Sequence, residues 1–192
     1  MWIFGHLGFG AKIAQPFARR LPVAWLLAGT VLPDFIDKPL YYFSALATGR
    51  HGFEIGLISC TRTLGHTAIF ALALAGLAFV RKSKPLAALA LGVATHLAID
   101  GFQDFWFHRV EGHDGESAAV VAILFPFYLP RFSAMPFATF ADHLKSGAQP
   151  FLLISESIGF LLFAWTVWKE RRRIRLAVVR TGSALRKSRS DR

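Results

Sequence analysis

Cysteine is nearly absent: one residue in 192, Cys60, so the chain can close no intrachain disulfide and build no thiolate metal cluster. Charge is scarce as well. Asp, Glu, Lys and Arg make up 18% of the chain, against about 25% in an average soluble domain. No basic region precedes the apolar start Met1-Trp2-Ile3-Phe4, which argues against a cleavable signal peptide. No internal repeat is evident. What fills the space is apolar: 54% hydrophobic residues, nineteen of them Phe, with a mean hydropathy of +0.42. Such an excess calls for a low-dielectric solvent, and a bilayer is the simplest one.

The net charge of +10 is unevenly placed. Residues 169–192 hold ten Lys/Arg against two acids and carry +8 of it. A basic tail behind an apolar segment fits a cytoplasmic anchor beside anionic lipid. Nothing resembling a nucleic-acid recognition motif accompanies it, so specific nucleic-acid binding is not expected.

Apolar stretches lie at 21–32, 63–80, 86–107 and 150–168. A spanning helix needs about 20 apolar residues, within roughly 17–25, which the last three satisfy and the first does not. Basic residues orient them: Arg19 and Arg20, the loop Arg81-Lys82-Ser83-Lys84, and the run after 168 belong on the cytoplasmic side. Segment 108–149 is either a re-entrant or interfacial element or a pair of short crossings. The expected fold is all-α, a membrane-embedded bundle of about four to six helices over 1–180, with a disordered basic tail over 181–192.

Folding stretches two and three about the loop at 81–85 brings His66 level with His96 and Asp100. His66 and Asp100 each lie roughly 25 Å from the turn at about 1.5 Å per residue. His96 and Asp100 are four apart and share a helix face, a plausible half-site for a divalent metal. A carboxylate at membrane depth usually pairs or functions, which applies to Asp100 and Glu156. Arg62, on the face of His66, can pair with an acid or hold a phosphate. His108, His113 and His143, in polar surroundings, read as solvated surface residues.

The ordered set His6, Pro33-Asp34-x-x-Asp37, Arg62-x-x-x-His66-Thr67 and His96-x-x-x-Asp100 resembles the bacterial inner-membrane metal-dependent hydrolases, a family also described as LexA-binding. That family is similar to the zinc-dependent phospholipase C fold. The resemblance covers roughly residues 1–110. It implies a divalent metal, zinc foremost, on Asp34 or Asp37, His66, His96 and Asp100, with His6 going to a second metal that shares Asp100. Whichever of Asp34 and Asp37 is not a ligand, here assigned to Asp37, would be the base, and Arg62 would steady substrate charge. The later His-x-x-x-Glu pair of the phospholipases is missing, so one or two metals are implied. The implied activity is hydrolysis of a lipid or other phosphoester at the surface of the inner membrane, with membrane lipid as partner and a cytoplasmic C-terminus. Two rival readings remain open: a structural His/Asp metal site or polar network in a membrane scaffold, and an ion or proton pathway through Asp100 and Glu156.

Overall fold

The computed structural model describes residues 2–109, 116–137 and 139–190, with the backbone course alone for 173–190. The residues described form eight α-helices and two short 3-10 turns, with no strand among them. The expected all-α fold is what is observed. The helices outnumber the expected four to six because α2 (Val23–Gly29), α6 (Ala118–Ile123) and α7 (Phe140–Ser146) are only six or seven residues long.

The central element is α5 (Lys84–Arg109), which packs against α1 (Ile3–Ala14), α2 and α4 (Ala68–Val80). α8 (Pro150–Ser190) packs along α1. Two crossings depend on glycine. A Cβ on Gly92 of α5 would stand 2.3 Å from the Leu26 carbonyl of α2, and one on Gly8 of α1 would stand 2.0 Å from the Gly159 carbonyl of α8. Only hydrogen at these positions allows the backbones to touch.

α5 and α8 over Pro150–Arg172 are long and apolar enough to cross a membrane. Half of the apolar window of α5 is buried, so α5 also serves as the core helix. In α8 only 17% is buried, and Leu153, Ile154, Phe160, Leu161 and Trp165 are exposed.

The expected span over 63–80 is shorter than its apolar run. Helix α4 begins at Ala68 and has 13 residues. The Thr67 side chain caps it by accepting from the Phe70 N–H, and the N–H groups of Thr63 and Gly65 go to the Asp37 carboxylate instead of a helix. The stretch 21–32 breaks as well. Pro33, early in α3 (Leu32–Thr48), brings no N–H for the carbonyl of Gly29, and the chain turns at Thr30–Val31.

In segment 108–149, α6 and α7 are each too short to cross a membrane, and residues 110–115, with His113, lie outside those described. The stretch after α6 folds back as a cap, where Phe132 and Met135 bury against Tyr41, Cys60 and Ala122. Residues 191–192, the end of the expected tail, also lie outside the described residues.

Candidate metal centre

α5 is unbroken through Gly101, so His96, Asp100 and Asp104 stand on one face at steps of four. All three are buried. Each of the other contributors comes from a different element. His6 projects from α1, Asp34 and Asp37 from α3, and Arg62 and His66 from the turn before α4.

Both imidazoles at the centre are held by Nδ1. His66 Nδ1 lies 2.7 Å from Asp37 Oδ2, and His96 Nδ1 lies 2.8 Å from the carbonyl of Thr30. That carbonyl is exposed to His96 by the turn between α2 and α3. Since a carbonyl and a carboxylate only accept, each Nδ1 carries a proton and donates it. In the neutral rings Nε2 is then a lone pair. The two Nε2 atoms face each other at 3.0 Å. Two lone pairs so placed repel unless a proton or a cation lies between them.

The carboxylates complete the cluster. His66 Nε2 is 3.6 Å from Asp34 Oδ1 and 3.6 Å from Asp100 Oδ2, and His96 Nε2 is 3.8 Å from Asp100 Oδ2. His6 stacks on His96 with ring centroids 3.9 Å apart, and its Nε2 is 3.4 Å from Asp100 Oδ1. The His6 ring is fully buried and neither nitrogen has a hydrogen-bond partner among the described residues. Burial, with His96 beside it, holds His6 well below the usual imidazole value, so it presents a lone pair. Burial alone would raise the Asp34 carboxyl, but the Lys38 ammonium at 2.6 Å brings it below its ordinary value.

Two groups result whose ligand atoms lie within 4.8 Å of one another: His6, His96 and Asp100, and Asp34, His66 and His96. Orphaned imidazole nitrogens beside ionised carboxylates are the donor chemistry of a zinc site. The residues present therefore fit a divalent metal.

Two of the residues singled out in the sequence stand beside this cluster. Asp37 is fully buried, and its carboxylate is filled by the Thr63 N–H at 2.7 Å, the Gly65 N–H at 3.0 Å and His66 Nδ1. It stands behind His66, a placement at odds with a base that must reach a reacting proton. Arg62 Nε donates to Asp100 Oδ2 at 2.9 Å and its Nη1 to Asp104 Oδ1 at 2.7 Å. Asp104 also accepts from Ser117 Oγ and the Ala119 N–H, which ties α6 to the site.

A cavity of about 420 Å³ opens on the cluster, with Asp34, Lys38, Arg62 and Asp100 in its wall, and Trp2 and His143 beyond. None of the three clustered histidines lines it. Their rings are sealed behind the carboxylates. His108 and His143, read from the sequence as solvated, both line this cavity. His143 stacks on Phe137 and its Nδ1 bonds to the Tyr42 hydroxyl, and burial pushes it down to about 4. Lys38 was not singled out in the sequence. The signal available was its spacing of four from Asp34, which makes an ion pair on one helix face.

Among the described residues Glu156 meets no buried cation, and it does not line the cavity. Its carboxylate accepts from the N–H groups of Phe4 and Gly5 at 2.9 and 3.0 Å, capping the N-terminus of α1.

Among known proteins, the family model described as zinc dependent phospholipase C matches residues 5–143. That range holds every clustered residue from His6 to Asp100 and the cavity wall from Asp34 to His143. No curated protein and no solved structure matches the chain. The family implies zinc, as the His/Asp clusters do by their chemistry. With nearly three quarters of its length matched, the chain belongs to the zinc-dependent phospholipase C family.

Proposed function

We propose that this chain is a membrane-bound, zinc-dependent hydrolase of phosphoesters, acting on lipid at the membrane surface. The observation that carries the proposal is the cavity reaching Asp34 and Asp100. A structural site closes its four ligands around the metal, while a catalytic one keeps a side open. Here the histidines are sealed and the carboxylate side opens on space large enough for a headgroup. The proposed ligands are His6, Asp34, His66, His96 and Asp100.

When bound, zinc supplies Lewis acidity toward water and a phosphoryl oxygen. The remaining work belongs to the chain. Asp37 and the Thr30 carbonyl fix the tautomers of His66 and His96 so that Nε2 points inward. Arg62 and Lys38 bring positive charge to the cavity wall, where a phosphoester anion would lie. Phe137, His143 and Trp2 narrow the far end and limit water.

The proposed setting is the inner membrane of a bacterium, crossed more than once, with the C-terminus cytoplasmic. Supporting it are the two helices of spanning length, the exposed apolar face of α8, and the basic residues at 81–84 and after 168. The kinship to inner-membrane hydrolases rests on the order of the site residues. The capping role of Glu156 removes one of the two carboxylates on which an ion or proton pathway was founded.

The test uses the full chain purified in detergent. Metal content and hydrolysis of phospholipid in mixed micelles are measured together, before and after chelation and zinc return. Hydrolysis that tracks zinc and disappears in His96→Ala is the expected result. Zinc-loaded protein with an intact fold and no hydrolysis of any phosphoester offered would leave only the scaffold reading.

A further inference from the structure

At the other end of α5 from the metal centre, a groove of about 540 Å³ runs between α4 and α5. Ala71, Ala75 and Ala78 line it from α4, and Ala87, Ala90 and Ala94 from α5. These positions recur at three and four, so each set is one helix face. Alanine at every step keeps the side chains short, and a trench is left where larger residues would have met. Leu72, Phe79 and Leu91 make the remaining apolar wall. The trench is closed at one end by Lys82, Ser83 and Lys84.

No acid lines the groove, and neither lysine has an acidic partner among the described residues. Lys84 is also the first residue of a 26-residue helix, so the positive end of its peptide dipoles adds to the same spot. An apolar slot ending in unpaired cations matches one kind of molecule, an amphiphile with a hydrocarbon chain and an anionic head. The groove shares no lining residue with the cavity at the metal centre, and its lysine end at Lys84 lies twelve residues, about 18 Å, along α5 from His96.

We infer that the α4–α5 groove binds an anionic phospholipid, with an acyl chain in the alanine trench and the phosphate on Lys82 and Lys84. The inference rests on the membrane setting proposed above. A second copy of the chain is the rival occupant, since small residues also let helices approach. Two copies related by a two-fold axis along the membrane normal would bring the same ends together. Lys82 and Lys84 would then face their equivalents, and the repulsion disfavours that pairing.

The experiment takes the full chain in detergent, offers phosphatidylglycerol and phosphatidylcholine in equal amounts, and counts retained lipids by native mass spectrometry. The wild type retains phosphatidylglycerol in preference. Lys82→Ala with Lys84→Ala lowers that preference at least tenfold, given the attraction of anionic lipid for each Lys. Ala75→Phe, at an exposed position of the trench, removes one retained lipid of either kind. Hydrolysis of a soluble phosphoester stays at the wild-type rate in both variants, which also certifies their fold. An unchanged preference in the lysine variant overturns the inference. So does displacement by inorganic phosphate as readily as by lipid, which would make the ligand a free anion. A shift from dimer to monomer in Ala75→Phe would assign the groove to a second copy. Wild-type protein that resists alkaline extraction from membranes yet shows no lipid preference refutes this inference alone. Protein that alkali strips from membranes refutes the membrane setting with it.

Discussion

Asp37→Asn exchanges one carboxylate oxygen for an amide NH2 at a fully buried position. Oδ2 accepts from the Thr63 N–H, the Gly65 N–H and His66 Nδ1, whereas Oδ1 accepts from Gly65 alone. The asparagine will therefore keep its oxygen at the Oδ2 position and turn its NH2 toward Gly65. His66 stays in the same tautomer, but the bond that holds it loses its charge assistance and about half its strength. Loss of such a supporting partner costs 10–100-fold in metal affinity. With the tautomer preserved, the expected loss lies near the lower end, about tenfold or about 1.4 kcal/mol. Asp37→Ala, which leaves three buried donors without an acceptor, belongs at the upper end and destabilises the fold as well. The assay is a zinc titration against a competing chelator, paired with hydrolysis rates as a function of free zinc. In Asp37→Asn the rate should return to near wild type once zinc saturates. Were Asp37 the base, zinc affinity would be unchanged and the rate would stay low at any zinc concentration. That outcome would refute the positioning argument.

His96 belongs to both three-residue groups, so His96→Ala should empty the protein of metal, while His6→Ala should leave the Asp34–His66–His96 group loaded. Equal metal loss in the two variants would show that the groups are not separate sites. Gly159→Ala places a Cβ 2.4 Å from the Phe4 carbonyl, so α1 and α8 must part, at a cost of about 1–3 kcal/mol in thermal or denaturant unfolding; an unaltered midpoint would contradict the close crossing. For His143 the folded value of about 4 lies below the unfolded 6.5. Between these values the unfolded chain binds more protons, so this contribution to stability is full above about pH 6.5 and is lost as pH falls toward 4. His143→Phe should flatten that part of the stability profile, and a slope as steep as in the wild type would dismiss the assignment.

The parts of the site legible in the sequence are those carried by helical periodicity. His96, Asp100 and Asp104 follow from spacing alone, because α5 is regular from end to end. Height along the bundle was legible too. His66 reaches the level of His96 although it sits in a turn, because it stands only two residues before α4 begins. What periodicity does not report is a carboxylate that competes with a helix for its N–H groups. Asp37 draws Thr63 and Gly65 out of the apolar run, which shortens α4 and gives Asp37 an orienting place behind His66. Pairing across elements was legible only in part: an acid partner was one of the roles open to Arg62, while its bridge to two acids and the partners of Glu156 were hidden. The Arg62 bridge to Asp100 and Asp104, and the Glu156 bonds to α1, join residues 38 to 152 positions apart. The cap over 124–137 is irregular and carries no period to read.

The match to the phospholipase C family ends at residue 143, before α8 begins, yet α8 holds the backbone of α1 through Glu156 at the two residues preceding His6. The same helix has the more exposed of the two apolar stretches long enough to cross a membrane, and in the proposed setting it would be the anchor. The proposed anchor and the proposed ligand are thus mechanically in series. In the proposed setting, a displacement of α8 along its axis, from a change in bilayer thickness or a load on the C-terminal tail, would reach His6 through two hydrogen bonds and α5 through the stacking of Phe151 on Trp106. Of the two groups, the one that contains His6 would feel the membrane more directly, since the Asp34–His66–His96 group shares only His96 with it.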